Sequence, residues 1–314
     1  MHKPDYYWFK AGKRYHAFSL FLKKSFGCRV HKITLDAGFT CPTRDGTKGY
    51  GGCIYCNPYG SGTGAFKKGL SIKQQIENTK SYLKKRFKAK KFIAYLQAYS
   101  NTYADVNTLK RIYDEAVDDP DIVGLAIGTR PDCVNNEILD LIQSYTEKYQ
   151  VWLEYGLQSM YNKTLEFIRR GHTVEDFLKA IELTKNRNIL ICVHIIMGLP
   201  GETKEMMLST VKFLSSLPIN GIKFHHLYIE KNTKLAQIYK QGLYTPLTQR
   251  EYVDIIVTAI QYLRPDIVIQ RLMGDPRRED LIAPEWSLRK TETINMIEKE
   301  LEVNNLWQGK LYEN

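Results

Sequence analysis

The sequence predicts an α/β protein, a partial (β/α)6 barrel of TIM-like build carrying a C-terminal α/β appendage. Short apolar strands alternate with helical stretches between residues 30 and 230, and such repeats form right-handed βαβ units on a parallel sheet. The strands run into loops of glycine and polar residues, and in βα barrels the chemistry sits at that rim. Six units are countable where a closed barrel has eight, so the barrel is expected to be open on one side.

Taken in order, residues 1–29 are aromatic and basic (Tyr6, Tyr7, Trp8, Phe9, Lys10, Lys13, Arg14) and are expected to cover one edge. Residues 30–36 (VHKITLD) alternate as a strand and run into a cysteine loop. Beyond Ser71, Ile72, Ile76, Leu83 and Phe87 keep helical spacing. A second strand, 91–98 (KFIAYLQA), ends in the polar run Tyr99-Ser100-Asn101-Thr102-Tyr103. A helix over 105–118 leads to strand 122–127 (IVGLAI), which ends in Gly128-Thr129-Arg130-Pro131-Asp132. Helix 134–148 is followed by strand 151–155, ending in Gly156-Leu157-Gln158-Ser159.

The helical stretch 161–187 is broken at Arg170-Gly171-His172-Thr173, where Thr173 is the expected N-cap. Strand 189–196 (ILICVHII) ends in Gly198-Leu199-Pro200-Gly201-Glu202-Thr203, with a helix over 203–216. The sixth strand, 222–229, carries Lys223, His225 and His226. Residues 231–314 form the appendage, whose later part reads as helix, short strand (266–272) and helix (287–302), placed to close the open side.

The chain of 314 residues is 43% hydrophobic, enough for a sizeable core. No apolar run approaches membrane-spanning length and the N-terminal residues fit no targeting peptide, so no membrane partner and a cytoplasmic location are expected. Net charge is +11, which fits either an ordinary basic enzyme or a polyanionic partner. Residues 80–91 (KSYLKKRFKAKK) hold seven of the basic residues. They read equally as a solvated helix face or as part of a phosphate-binding surface.

The chemistry centres on Cys41, Cys53 and Cys56, spaced C-x11-C-x2-C with Tyr55 before the last. Three thiolates can hold three irons of a [4Fe–4S] cube and leave the fourth open. An open iron is what S-adenosylmethionine (SAM) chelates through its amino and carboxylate groups. On the cysteines alone, zinc and incidental thiols stay open as alternatives. Against zinc, no second close pair supplies the usual fourth ligand. Against a disulfide framework, six cysteines in a chain of this size are few.

In order along the chain, the three-cysteine loop and the strand-end motifs resemble the radical SAM superfamily over about residues 30–230. The resemblance implies a [4Fe–4S] cluster on Cys41, Cys53 and Cys56, and SAM bound at the strand ends. Ser100, Asn101 and Thr102 stand where a turn meets the SAM amino group. Gly156-Leu157-Gln158-Ser159 followed by Arg170 is similar to the oxygen-independent coproporphyrinogen oxidase and Elongator catalytic-subunit groups. There the Gln bonds the ribose and the Arg pairs with the methionine carboxylate, a match for a guanidinium fork. Thr129, Arg130 and His194 complete the implied cofactor contacts, although His194 stands where many members place an Asp. Glu154, His194, Lys223, His225, His226 and Arg271 point from strand ends as candidate substrate contacts, with Glu154, Lys223 and His226 the catalytic candidates; for each the alternative is a satisfied polar group at the barrel mouth.

The long first gap, SNTYA, GTRPD, EYGLQS and RRGHT resemble a compact bacterial family related to the Elongator catalytic subunit. That resemblance implies tRNA as partner, with conversion of 5-carboxymethylaminomethyl-(2-thio)uridine to the 5-aminomethyl form at the wobble position. It also implies a reductant such as flavodoxin or ferredoxin. The rival readings are a coproporphyrinogen-oxidase-like enzyme on a small molecule and a non-enzymatic zinc or tRNA-binding module. A methylthiotransferase would need a second cluster, for which Cys28, Cys133 and Cys192 are scattered in or beside strands.

Overall fold

In the computed structural model, residues 4–60 and 62–313 are described. Six parallel strands follow one another across the main sheet in chain order: β1 (Val30–Leu35), β2 (Lys91–Leu96), β3 (Ile122–Thr129), β4 (Gln150–Gln158), β5 (Leu190–Met197) and β6 (Gly221–His226). After β7 (Ile229–Glu230), β8 (Val268–Arg271) returns to pair parallel with β6, and β9 (Leu281–Ala283) pairs with β7. The main sheet therefore has seven strands and curls into an open half-barrel. Its seventh member is the short stretch expected at 266–272. It escapes a count of βα units because it is only four residues long.

Alternation along each strand sorts the side chains. In β1, Ile33 and Leu35 turn outward into the main core under the helices, while Val30, Lys32 and Thr34 share the opposite face. The helices are α1 (Tyr7–Lys10), α2 (Phe18–Phe26), α3 (Ile72–Phe87), α4 (Val106–Val117), α5 (Asn136–Ser144), α6 (Asn162–Phe167), α7 (Val174–Thr184), α8 (Lys204–Ser215), α9 (Lys234–Lys240), α10 (Gln249–Tyr262) and α11 (Lys290–Val303). Polar caps set many of their starts. Ser71, Thr173 and Thr248 form capping boxes with Gln74, Asp176 and Glu251, and Asp105, Asn135 and Thr203 accept single amide bonds. The Thr173 cap falls where the break at Arg170-Gly171-His172-Thr173 places it.

The barrel floor is apolar: Val30, Ile93, Ala126, Trp152, Cys192 and Val268 meet Leu22 of α2. The rings of Phe18 and Phe21 lie edge-on to Trp152 at 5.8 and 5.7 Å. Because α2 packs on both edge strands, β1 and β8, it plugs the opening between them.

One expected strand divides. The stretch 222–229 ends as a main-sheet strand at His226, and Ile229 crosses to pair with Ala283 of β9. Composition hides the break because Leu227 and Ile229, on its far side, are themselves buried in a second apolar cluster with Ile54, Ile168 and Leu235. No helix of the described residues is long and apolar enough to cross a membrane.

Candidate functional site: a thiol-lined cavity at the strand ends

The eleven-residue gap between Cys41 and Cys53 is a folded excursion. Asp45 bridges Tyr50 in antiparallel fashion, and the Gly52 amide bonds the Thr43 carbonyl at 2.9 Å, which brings the chain back beside its start. Gly52 has φ +80° and a side chain there would press on the Arg44 guanidinium, 2.8 Å away. Arg44 in turn donates to the carbonyls of Cys56 (3.1 Å) and Asn57 (2.6 Å). Ile54 pins the loop to the barrel between the carbonyl of Ile168 and the amide of Leu235. Cys41, Cys53 and Cys56 thereby line one cavity with Tyr55.

The donor set fits an iron–sulfur cube better than a zinc ion. The three sulfurs do not all lie within 4.8 Å of one another. A single zinc with bonds of ~2.3 Å would hold its sulfurs about 3.8 Å apart. Burial raises the thiol pKa of Cys41, but the Thr43 hydroxyl at 3.2 Å and the charges of Arg130 and Arg170 lower it overall. Cys56 is pushed up to about 11, chiefly by burial. Cys133 is pushed up to about 12 and Cys192 higher still, again by burial, so both are held as neutral thiols.

Arg170 joins the thiol loop to the sheet. Its guanidinium donates to the Gly156 carbonyl at 2.7 and 3.1 Å and reaches Cys53 Sγ at 3.6 Å. Gly156 permits this, since a Cβ there would sit 2.5 Å from Arg170 Nη2 and 2.7 Å from Gln158 Nε2. Gln158, at the end of β4, has φ +79°, in the left-handed region that costs a side-chain-bearing residue about 1 kcal/mol or more. The β4–β5 register slips between Gly156 and Gln158, and Gln158 lines the cavity. Arg130 also lines it, forked onto Asp132 at 2.8 and 2.9 Å and bonded to the Arg170 carbonyl at 2.5 Å.

At the other end of the cavity stands Glu154 of β4, whose side chain is 0% exposed. Lys32 and Lys223 ion-pair with its two oxygens, and His194 Nε2 lies 2.8 Å away. Burial opposes its charge, but Lys223, Lys32 and His194 hold its carboxyl well below the usual carboxylate range. Burial takes Lys223 down to about 7 against the pull of Glu154. His194 falls to about 4 through burial and then Lys223, and is neutral. Tyr95 lies under both ammonium groups, with Lys223 at 4.2 Å and Lys32 at 4.8 Å from its ring centre. Glu154, Cys192 and His194 converge closely enough for a metal ion. Lys32 and Lys223 already occupy that carboxylate, so the site is an ion-pair cluster.

The expected residues are thus distributed unevenly. Cys41, Cys53, Cys56, Thr129, Arg130, Glu154, Gln158, Arg170, His194, Lys223 and His226 line the cavity. Ser100, Asn101 and Thr102 do not; all three are buried in the rim. Asn101 donates to the carbonyls of Leu96 and Gly128, and Thr102 bonds Thr129 and the Cys133 carbonyl. His226 bonds Ser287 at 2.7 Å and stacks near Trp286 at 4.5 Å, with burial lowering it to about 3. Sequence patterning does not mark Lys32 or Tyr95 as site residues. The one available signal is a lysine at an alternate position with Val30 and Thr34, on the face of β1 opposite the core residues Ile33 and Leu35.

The basic stretch 80–91 lies elsewhere. It spans the end of α3 and the start of β2, at the end of the barrel opposite the strand termini that carry the cavity. Lys80 and Lys84 bond Asp119 and Asp121 at 2.7–2.9 Å, and Lys91 stands 3.6 Å from Asp121.

Comparison with known proteins agrees with this architecture. The family model of the Radical SAM superfamily matches residues 47–214, and that of the Radical_SAM C-terminal domain matches residues 219–303. The uncharacterized protein YtqA of Bacillus subtilis is 36% identical over 301 residues, 96% of this chain and 94% of its own. A tRNA uridine(34) acetyltransferase of Methanocaldococcus jannaschii is 32% identical over 157 residues, 49% of this chain but 28% of its own. Among solved structures, archaeal Methanocaldococcus infernus Elp3 with an N-terminal deletion gives a TM-score of 0.67 at 18% identity. That match covers 89% of this chain and 64% of the other, and shows a shared fold.

Proposed function

The chain belongs to the radical SAM superfamily and is a radical SAM enzyme, and on that premise we propose that it acts on the wobble uridine of tRNA. The reaction is conversion of 5-carboxymethylaminomethyl-(2-thio)uridine to 5-aminomethyl-(2-thio)uridine. The observation that carries the substrate is the 157-residue stretch 32% identical to a tRNA uridine(34) acetyltransferase. A net charge of +11 is in keeping with a polyanionic partner.

In this reading Cys41, Cys53 and Cys56 hold a [4Fe–4S] cluster. When bound, the cluster and SAM together supply a one-electron cleavage whose organic radical product takes hydrogen from an unactivated C–H. Arg170, already beside Cys53, receives the methionine carboxylate, and Gln158 bonds the ribose. The Glu154 cluster backs the cavity, with Lys223, His194 and His226 facing the substrate end. The apolar floor under Trp152 and the α2 plug keep water from entering through the far side. The wobble base belongs to a single-stranded loop and can be splayed into the strand-end mouth at small unstacking cost. A flavodoxin or ferredoxin supplies the electron, in the cytoplasm.

Nucleoside analysis of total tRNA from a strain lacking this chain tests the assignment. Carboxymethylaminomethyl-uridine should accumulate at the expense of the aminomethyl form, and purified enzyme with SAM, reductant and that tRNA should restore it. An unchanged nucleoside profile, with SAM being cleaved by the purified protein, removes the tRNA substrate and leaves the enzyme class standing.

A further inference from the structure

The wall formed by the last strands carries more positive charge than it has partners for. Register sets His194 of β5 beside Lys223 of β6, and Lys223 beside Arg271 of β8. His225 stands two residues along from Lys223 on the same strand face, its ring 5.4 Å from that of His194. Arg271 lines the cavity and has no carboxylate partner among the described residues. His225 Nε2 and Gln270 Nε2 are buried and, among the described residues, unpartnered.

The acids nearby are committed. Glu154 serves both Lys32 and Lys223. Glu230 accepts from Asn57 at 2.8 Å, and Asp275 pairs with Lys290 at 2.7 Å. With both histidines held neutral by burial and the adjacent cations, Arg271 and Lys32 face the single charge of Glu154. The surplus is one positive charge, or two when Lys223 is protonated. Arg271 and Lys32 are half-buried, so water can serve Arg271 in the open cavity, and a substrate that displaces that water leaves the guanidinium unpaired unless it brings an anion.

We propose that Arg271, with Lys223 and His225, receives a carboxylate group of the substrate. A flat carboxylate suits the guanidinium fork, and its arrival favours the proton on Lys223. The identity of that carboxylate rests on the proposed function, in which it is the carboxymethylamino group of the wobble base. The subsite itself requires only a carboxylate-bearing substrate.

Two titrations of the iron-loaded full chain with SAM test this. In the first, an anticodon stem–loop RNA bearing the carboxymethylamino group is compared with the same RNA bearing its methyl ester. The wild type should prefer the acid by about tenfold or more, the scale of a charge-assisted hydrogen bond. Arg271→Gln should bring the two RNAs to near parity, while Arg271→Lys should keep part of the preference; iron per chain, which Arg271 does not touch, reports folding. An undiminished preference in Arg271→Gln overturns the proposal.

The second titration uses acetate and inorganic phosphate alone. Acetate should bind the wild type more tightly than phosphate and lose affinity in Arg271→Gln; equal or tighter phosphate binding overturns the carboxylate assignment. Arg271-dependent acetate binding in an enzyme that leaves the RNA unaltered would keep the subsite and remove the wobble-uridine reading. Turnover of the RNA with no acid preference in any variant would do the reverse.

Discussion

At one end of the cavity the thiols come from a single loop, Cys41 to Cys56; at the other, Lys32, Glu154, His194, Lys223 and Arg271 come from five separate strands. The loop end is tied to the barrel by a few backbone bonds through Ile54 and by Arg44 and Arg170. The strand end sits in the sheet interior over Tyr95, directly above the apolar floor. Changes in the loop should therefore cost the cofactor and spare the fold. Changes in the strand cluster should cost the fold first, because they leave a buried charge without its partner.

The largest expected effect is at the loop. Replacing Cys41, Cys53 and Cys56 together with Ala should take anaerobically purified protein from about four irons per chain to none. Cys28→Ala, Cys133→Ala and Cys192→Ala should keep the iron, since none of the three lines the cavity. Stoichiometric zinc and no iron in the anaerobic wild type would break the comparison at its root.

Next comes Glu154→Gln, which strands Lys32 and Lys223. Chemical denaturation should show a loss of about 3–5 kcal/mol, the scale for removing one partner of a buried pair, with iron content preserved. Loss of iron together with stability would mean that the two ends are not separable.

The strand end should also make stability depend on pH. His194 has its pKa lowered to about 4 in the fold, so below about pH 6.5 the unfolded chain takes a proton that the folded chain refuses. Stability should fall as pH drops from about 6.5 to 4, by on the order of 3 kcal/mol from this residue. His226 and His172, each lowered to about 3, act in the same direction and extend the loss. Denaturation midpoints of His194→Asn across this range should show a shallower decline, and an identical decline would place the proton elsewhere.

Arg170 belongs to both ends. Arg170→Ala should weaken SAM binding by about 1.5–3 kcal/mol, the range for hydrogen bonds to a charged group, and Gln158→Ala should do less because its partner is neutral. Equilibrium binding of SAM to the iron-loaded protein measures both, and wild-type affinity in Arg170→Ala would refute the role given to it.

The smallest effect separates two basic surfaces. The positions of Lys84→Glu, Lys85→Glu and Arg86→Glu lie at the end of the barrel away from the cavity, where Lys84 pairs with Asp121. Lys67→Glu, Lys68→Glu and Arg278→Glu lie around the strand-end mouth, where Arg277 bonds Gly62 and stacks on Tyr59. tRNA affinity, and the steepness of its fall with salt, should drop more for the mouth set. The opposite ranking would move the footprint to α3.

Hydrophobic alternation, helix caps and the ordered strand-end motifs were enough to place the parallel half-barrel and its rim. The three thiols were legible for the same reason: they are neighbours in sequence, and a loop with two close cysteines and a glycine-rich return brings them together locally. The division of 222–229 was not legible, since apolar residues continue on both sides of it; the short strand at 266–272 was legible as a strand, but its four residues do not mark it as a member of the main sheet. Ser100, Asn101 and Thr102 look like a binding turn in sequence, yet the fold places their side chains within the rim. The meeting of Lys32, Glu154, His194, Lys223 and Arg271 was decided by the tertiary structure alone. Each stands on a different strand, far from the others in sequence, and only parallel register and the curl of the sheet bring charges from residues 32 to 271 to one end of the barrel.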